Sequence, residues 1–261
     1  MKLSISNIAW DAKDDNAIYG LMNKYGFTGL EIAPTRIFPT APYNQLEGAA
    51  KWLENLKSEY GFTIPSMQSI WFGRSENIFA SIDERESLDD YTRQAIDFAS
   101  VIKCGNLVFG CPKNRNIPDG ADTQVAVDFF KTLGDYAFSK GTVIGMEANP
   151  TIYNTNFIND TKSAIELIGK VCSNGFKLNF DMGTVIQNNE MLDDLIGNVN
   201  LINHVHISEP GLKPIETRAI HIELRRILEA ENYNGYISIE MGRTDCASIE
   251  KTMSYIREIF G

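Results

Sequence analysis

Four residues, Glu147, Asp181, His206 and Glu240, have the types and spacing to hold one divalent cation and to move protons beside it. Each closes a short apolar run. Val143-Ile-Gly-Met146 leads into Glu147, Leu178-Asn-Phe180 into Asp181, and Tyr236-Ile-Ser-Ile239 into Glu240, while Leu201-Ile-Asn-His204-Val-His206 ends in the imidazole itself. The separations are 34, 25 and 34 residues, each close to one strand-plus-helix repeat. Three carboxylates and one imidazole suit a hard to borderline ion, Mn²⁺ first, with Mg²⁺, Co²⁺ and Zn²⁺ as alternatives; the lack of thiolates argues against a structural zinc site. For any one acid, a helix cap or a solvated loop position is the simpler reading. Four in register change the weighting, because carboxylates flanked by Ile, Met, Phe and Val need a positive partner to stay ionised. A dication next to a ketose carbonyl and its neighbouring hydroxyl would polarise the C=O and stabilise the enediolate left when the adjacent proton departs. Two of the carboxylates could then exchange protons with either face, giving epimerisation or isomerisation.

Such residues must be carried on elements that converge. Apolar or β-branched runs at residues 2–7, 29–32, 63–68, 106–109, 142–146, 177–180, 201–206 and 236–239 read as eight strands. Between them lie helix-period segments, among them 44–60, 88–102, 124–139, 161–171, 217–229 and 247–260. In the third of these, Val125, Val127, Phe129, Phe130, Leu133 and Ala137 form an apolar stripe opposite Lys131, Thr132 and Asp135. Alternating strands and helices specify an α/β protein with a parallel sheet. Neither GxGxxG nor GxxxxGK[ST] occurs, which disfavours an open nucleotide-binding sheet. The expectation is a (β/α)8 TIM barrel spanning residues 1–261 as a single domain, with its site at the carboxyl ends of the strands.

Bulk properties agree. A chain of 261 residues, 43% hydrophobic and 22% charged, can build one large core without a linker. The formal charge of -10 works against long phosphate backbones and anionic membranes, so neither nucleic acid nor a membrane is the expected partner. Small neutral or weakly anionic ligands remain compatible, and a homo-oligomer is left open. The amino terminus turns polar at Asp11-Ala-Lys-Asp-Asp15 before an apolar signal region could form, and no apolar run approaches the ~20 residues of a spanning helix. Cys104, Cys111, Cys172 and Cys246 form no CxxC. They read as reduced thiols, and the expected location is the cytoplasm.

The chain also resembles the xylose isomerase-like TIM barrels, a family of sugar phosphate isomerases and epimerases that includes ketose 3-epimerases, hydroxypyruvate isomerase, inosose dehydratase and endonuclease IV. The resemblance starts at Gly26-Phe-Thr-Gly-Leu-Glu-Ile32 and continues through Glu147-Ala-Asn-Pro150, Asn179-Phe-Asp181, His204-Val-His-Ile-Ser-Glu209 and Ser238-Ile-Glu-Met241. It implies that Glu147, Asp181, His206 and Glu240 bind the metal and that Glu147 and Glu240 also act as acid and base. Two features depart from the family pattern. Thr184 stands where many members carry a His three residues after the metal-binding Asp, and Glu209-Pro-Gly-Leu-Lys-Pro214 lacks the Arg that ketose 3-epimerases tend to place there. The substrate is therefore expected to differ from free ketohexoses.

Further residues are candidates for substrate binding. Gln68 and Trp71 close the third strand and Trp10 the first, where an amide and an aromatic wall suit a sugar ring. Lys113 and Arg115 could hold a phosphate or carboxylate tail, with solvated loop charges the competing reading. Asn149 and Tyr153 could line the same mouth. His204 points to the same side as His206, as ligand support or core histidine. Glu209 could bind substrate or steer His206. His221 reads as a helix-surface residue. Two other functions compete with isomerisation: a dehydratase that expels a β-hydroxyl from a keto-polyol such as an inosose, and a barrel that binds sugar without turnover. A DNA-repair role is disfavoured by the three histidines and the acidic surface.

Overall fold

The computed structural model describes residues 1–261. Seven strands form where apolar runs were expected: β1 (Lys2–Ser6), β2 (Gly29–Glu31), β3 (Leu107–Phe109), β4 (Ile144–Met146), β5 (Phe176–Asp181), β6 (Ile202–Ile207) and β7 (Tyr236–Ile239). All pair in parallel in the order β2-β1-β7-β6-β5-β4-β3. The eighth expected strand, residues 63–68, is not a regular ladder. Instead, Thr63 and Met67 form isolated parallel bridges to β2 on one side, at Gly29 and Ile32, and Met67 bridges Leu107 of β3 on the other. Pro65 is the physical reason, because it has no N–H to contribute and interrupts the ladder at its centre. The hydrogen bonds around it still close the ring: Leu30 N–H donates to Thr63 O, Met67 N–H to Asn106 O, and Val108 N–H to Met67 O. The fold is thus a (β/α)8 TIM barrel with one seam built from bridges.

The helices are α1 (Asp15–Tyr25), α2 (Pro34–Ile37), α3 (Leu46–Tyr60), α4 (Ile82–Val101), α5 (Gln124–Ser139), α6 (Thr161–Val171), α7 (Met182–Asn188), α8 (Ala219–Ala230) and α9 (Cys246–Phe260). Helix α4 begins six residues before the expected start at 88, because the Ser81 side chain accepts the Glu84 N–H and caps it there. In α5 the expected apolar stripe is buried at Val127, Phe129, Phe130, Leu133 and Ala137. The barrel and its outer helices share one contiguous core of 64 buried residues. The four cysteines are free, and no helix is long and apolar enough to cross a membrane.

One irregularity matters for the site. Between Leu178 and Asn179 the β5–β6 register shifts by a residue, so that Asn179 pairs with His204 and Asp181 with His206. The shift brings the last carboxylate of β5 level with the last imidazole of β6.

Candidate metal centre

Sheet hydrogen bonding runs one residue past two of the strands: Glu147 N–H donates to Phe109 O at 3.1 Å and Glu240 N–H to Ile207 O at 3.0 Å. That extension aims both carboxylates into the carboxyl-terminal mouth of the barrel. One ligand atom from each of Glu147, Asp181, His206 and Glu240 lies within 4.8 Å of the other three. His206 Nδ1 sits 2.9 Å from Glu147 Oε1 and 3.2 Å from Glu240 Oε2. Asp181 is both a helix cap and a member of the cluster. Its Oδ2 accepts from Thr184 N–H at 2.8 Å and caps α7, while Oδ1 accepts from the Ser208 hydroxyl. Thr184 also donates its hydroxyl to Ala148 O at 2.8 Å and is 1% exposed, so it fixes Asp181 rather than facing the cavity.

The electrostatics are those of a crowded anionic pocket. Burial, then the carboxylates of Glu147 and Asp181, push Glu240 up to about 7, against the opposing pull of His206. Asp181 is raised by burial and by Glu147. Burial alone would lower His206, but Glu240, Glu31 and Glu147 outweigh it and hold the ring well above its usual range. Three carboxylates thus share one imidazolium, and an oxygen-rich set with a single nitrogen fits a divalent cation such as Mn²⁺.

A prediction arises here. Glu240 and Asp181 have raised folded-state values, so their stabilising contribution is full below the usual carboxylate range and is lost as pH rises, for Glu240 through about 7. His206, also raised, loses its contribution above the ordinary histidine range. Metal-free protein should therefore melt lower at pH 8 than at pH 6.5, and the upward Tm shift caused by Mn²⁺ should grow over the same interval, because the ion displaces those protons. A shift that shrinks with pH would contradict the assignment.

A polar layer beneath the four residues went unnoticed in the sequence. Asn179 is fully buried, donates to Glu147 Oε1 at 2.8 Å and accepts at its Oδ1 from Asn106 Nδ2 at 3.1 Å, and the same Asn106 amide donates to the Ser66 hydroxyl at 3.0 Å. Glu31, 0% exposed, sits 2.8 Å from His206 Nε2. Its position at the end of β2 follows the same strand-end logic that singled out the other acids. A glycine completes the wall: a β-carbon on Gly110 would lie 2.9 Å from Glu147 Oε2.

Above the cluster opens a cavity of about 610 Å³, within the range of small-molecule sites. Gln68, Trp71, Lys113, Asn149, Tyr153 and Glu209 line it together with Glu147, Asp181 and Glu240. Trp71 is anchored by its indole N–H on Thr92 at 2.8 Å and packs edge-on against Phe109. Asn149 Nδ2 donates to Glu147 Oε2 at 3.2 Å, and Tyr153 Oη accepts from Gly211 N–H at 2.8 Å. Lys113 is exposed and makes no ion pair.

Other expected contacts lie elsewhere. Arg115 is fully buried, donates to Glu147 O and Asn149 Oδ1, each at 2.9 Å, and does not line the cavity, so it braces the loop after β4 rather than holding a substrate tail. Both Glu209 oxygens accept from Arg218 at 2.7 Å, leaving the carboxylate committed to that loop although it borders the cavity. His204 is buried behind the cluster, its ring edge-on to His206 at 5.3 Å between centroids. Trp10 is buried and donates to Asp15 at 2.7 Å, away from the mouth. His221 is not a surface residue: it is 0% exposed, its Nδ1 is 2.8 Å from Tyr255 Oη, and burial lowers it to about 4. It falls on the core-facing side of α8, where a ring with one hydrogen bond packs as an apolar body.

The chain belongs to the xylose isomerase-like TIM barrel family, whose model matches residues 20–259. Among solved structures it is similar to a D-psicose 3-epimerase determined in the presence of D-fructose, with a TM-score of 0.80 and 17% identity over 100% of both chains. It is also similar to the 3-keto-D-glucoside 4-epimerase of E. coli, with a TM-score of 0.76 and 18% identity over 99% of this chain and 98% of that one. A third is a probable 3-DHS dehydratase of Bacillus anthracis, at 0.67 and 15% over 97% and 98%. No curated protein sequence matches. At these identities the likeness establishes the fold.

Proposed function

We propose that this chain is a divalent-metal-dependent isomerase or epimerase of a sugar or sugar phosphate, active in the cytoplasm, that transfers a proton at the carbon next to a carbonyl. The observation that carries this reading is the convergence of three carboxylates and His206 within 4.8 Å at the floor of a cavity of small-molecule size, with two of the carboxylates on opposite flanking strands. Glu147, Asp181, His206 and Glu240 would hold the ion, Mn²⁺ being the best match to the donors. When bound, it supplies positive charge to polarise a carbonyl and its neighbouring hydroxyl.

The remaining chemistry falls to the chain itself. Glu240, raised to about 7, is able to carry a proton near neutral pH, and Glu147, steadied by Asn179 and Asn149, is the second carboxylate. Proton removal by one and return by the other, at the opposite face or the adjacent carbon, gives epimer or isomer. Gln68, Asn149 and Tyr153 offer polar contacts to hydroxyls, and the anchored Trp71 ring offers an apolar wall. Lys113, unpaired at the rim, is placed to meet an anionic tail. Arg115 and His204 act on this site only through the residues they hold, whereas Glu209 borders the cavity with its carboxylate held by Arg218.

The test is solvent-deuterium uptake by a panel of ketoses, ketose phosphates, keto-glycosides and inososes with Mn²⁺, followed by mass spectrometry. Uptake of one deuterium with retention of mass formula supports isomerisation or epimerisation. Loss of one water identifies a dehydratase instead, and no uptake by any member, with metal bound, refutes the catalytic reading.

A further inference from the structure

Glu31 is the one fully buried acid close to the cluster that does not border the cavity. A carboxylate without solvent is costly unless donors reach it, and here they come from the segment at 63–68 and from β6. Its Oε1 accepts from Gln68 Nε2 at 3.1 Å, and that same amide reaches the Ser6 hydroxyl at 2.8 Å. Its Oε2 lies 2.8 Å from His206 Nε2 and 3.0 Å from His204 Nε2. The His206 contact has hydrogen-bond geometry, whereas His204 Nε2 approaches off line and has no aligned partner.

We infer that Glu31 is the positioning residue of the metal centre: it accepts the Nε2–H of His206 and so turns the Nδ1 lone pair toward Glu147, Asp181 and Glu240. This inference rests on the metal reading above. An imidazole that gives one nitrogen to a cation must keep its proton on the other, and a carboxylate at that position fixes the ring's tautomer and plane and strengthens it as a donor. His206 satisfies this on both sides, with Nδ1 facing the ligand carboxylates at 2.9 and 3.2 Å and Nε2 facing Glu31. Gln68 thereby borders the cavity and also holds Glu31 in place. Since Glu31 is sealed from the cavity, its effect should appear in how the ion is held rather than in substrate contact.

The experiment loads wild-type protein, labelled with ¹⁵N-histidine, with diamagnetic Zn²⁺ and reads the ring nitrogens, then measures Zn²⁺ and Mn²⁺ affinity in wild type and Glu31→Gln by competition with a chelator. The expected results are a proton on His206 Nε2 with Nδ1 bound to the ion, and affinity about 10- to 100-fold weaker in the variant at unchanged far-UV circular dichroism. A proton on Nδ1 overturns the inference, as does a folded Glu31→Gln that binds as tightly as wild type. If the variant does not fold, the wild-type tautomer decides. Absence of ion binding by wild type would instead bring down the metal reading, an outcome distinct from either.

Discussion

Glu240→Gln and Glu147→Gln are each expected to lower epimer or isomer formation by about 10²- to 10⁴-fold, the range contributed by a positioned acid or base. The amide keeps the size and one oxygen of each side chain, so the cavity wall survives while the proton-carrying group is lost. Glu240 is the more telling of the two. Buried at 9% exposure among Glu147, Asp181 and His206, it is the carboxylate whose environment pushes it to about 7, where it can both take and give a proton. The measurement is turnover of the best substrate of the panel at saturating Mn²⁺, with ion content determined in parallel. Turnover within threefold of wild type in either variant would remove that residue from the reaction.

The second large effect concerns the ion itself. His206→Ala should weaken Mn²⁺ binding by at least about 100-fold, because it deletes the only nitrogen donor of the cluster and leaves the buried Glu31 with Gln68 as its one aligned donor. A substitution outside the cluster is the control: Tyr255→Phe, which removes the hydroxyl facing His221 on the outer helices, should leave Mn²⁺ binding unchanged. Mn²⁺ affinity read by electron paramagnetic resonance distinguishes the two. Equal affinity in His206→Ala and wild type would contradict the role of the ring.

Much of this arrangement was legible in the sequence because strand ends in a barrel repeat at a regular interval. Glu147, Asp181 and Glu240 each close an apolar run, and His206 lies near the end of β6 at a similar spacing, so the four converge once the sheet curls. Glu31 obeys the same rule yet escaped it, since Ile32 continues the apolar run beyond it and a strand of three residues carries little pattern. Asn179 was hidden for a related reason: an amide inside a strand looks like an interruption until the barrel interior supplies Glu147 and Asn106 as partners. The irregular seam at 63–67 could have been anticipated from Pro65 alone. Arg115 and His221 illustrate the opposite limit. A loop arginine reads as a holder of an anionic tail or as a solvated charge, and a histidine near a helix start as a surface group; only tertiary packing shows that one braces the Glu147 and Asn149 loop and the other sits in the core against Tyr255.

The central claim is that one dication is held by four adjacent parallel strands. It is tested most directly by crystals grown with Mn²⁺ and measured at the manganese absorption edge. The account predicts a single anomalous peak per chain, coordinated by Glu147, Asp181, His206 Nδ1 and Glu240. An ordered site with those four side chains in place and no peak among them, or a peak held by other residues, would contradict it.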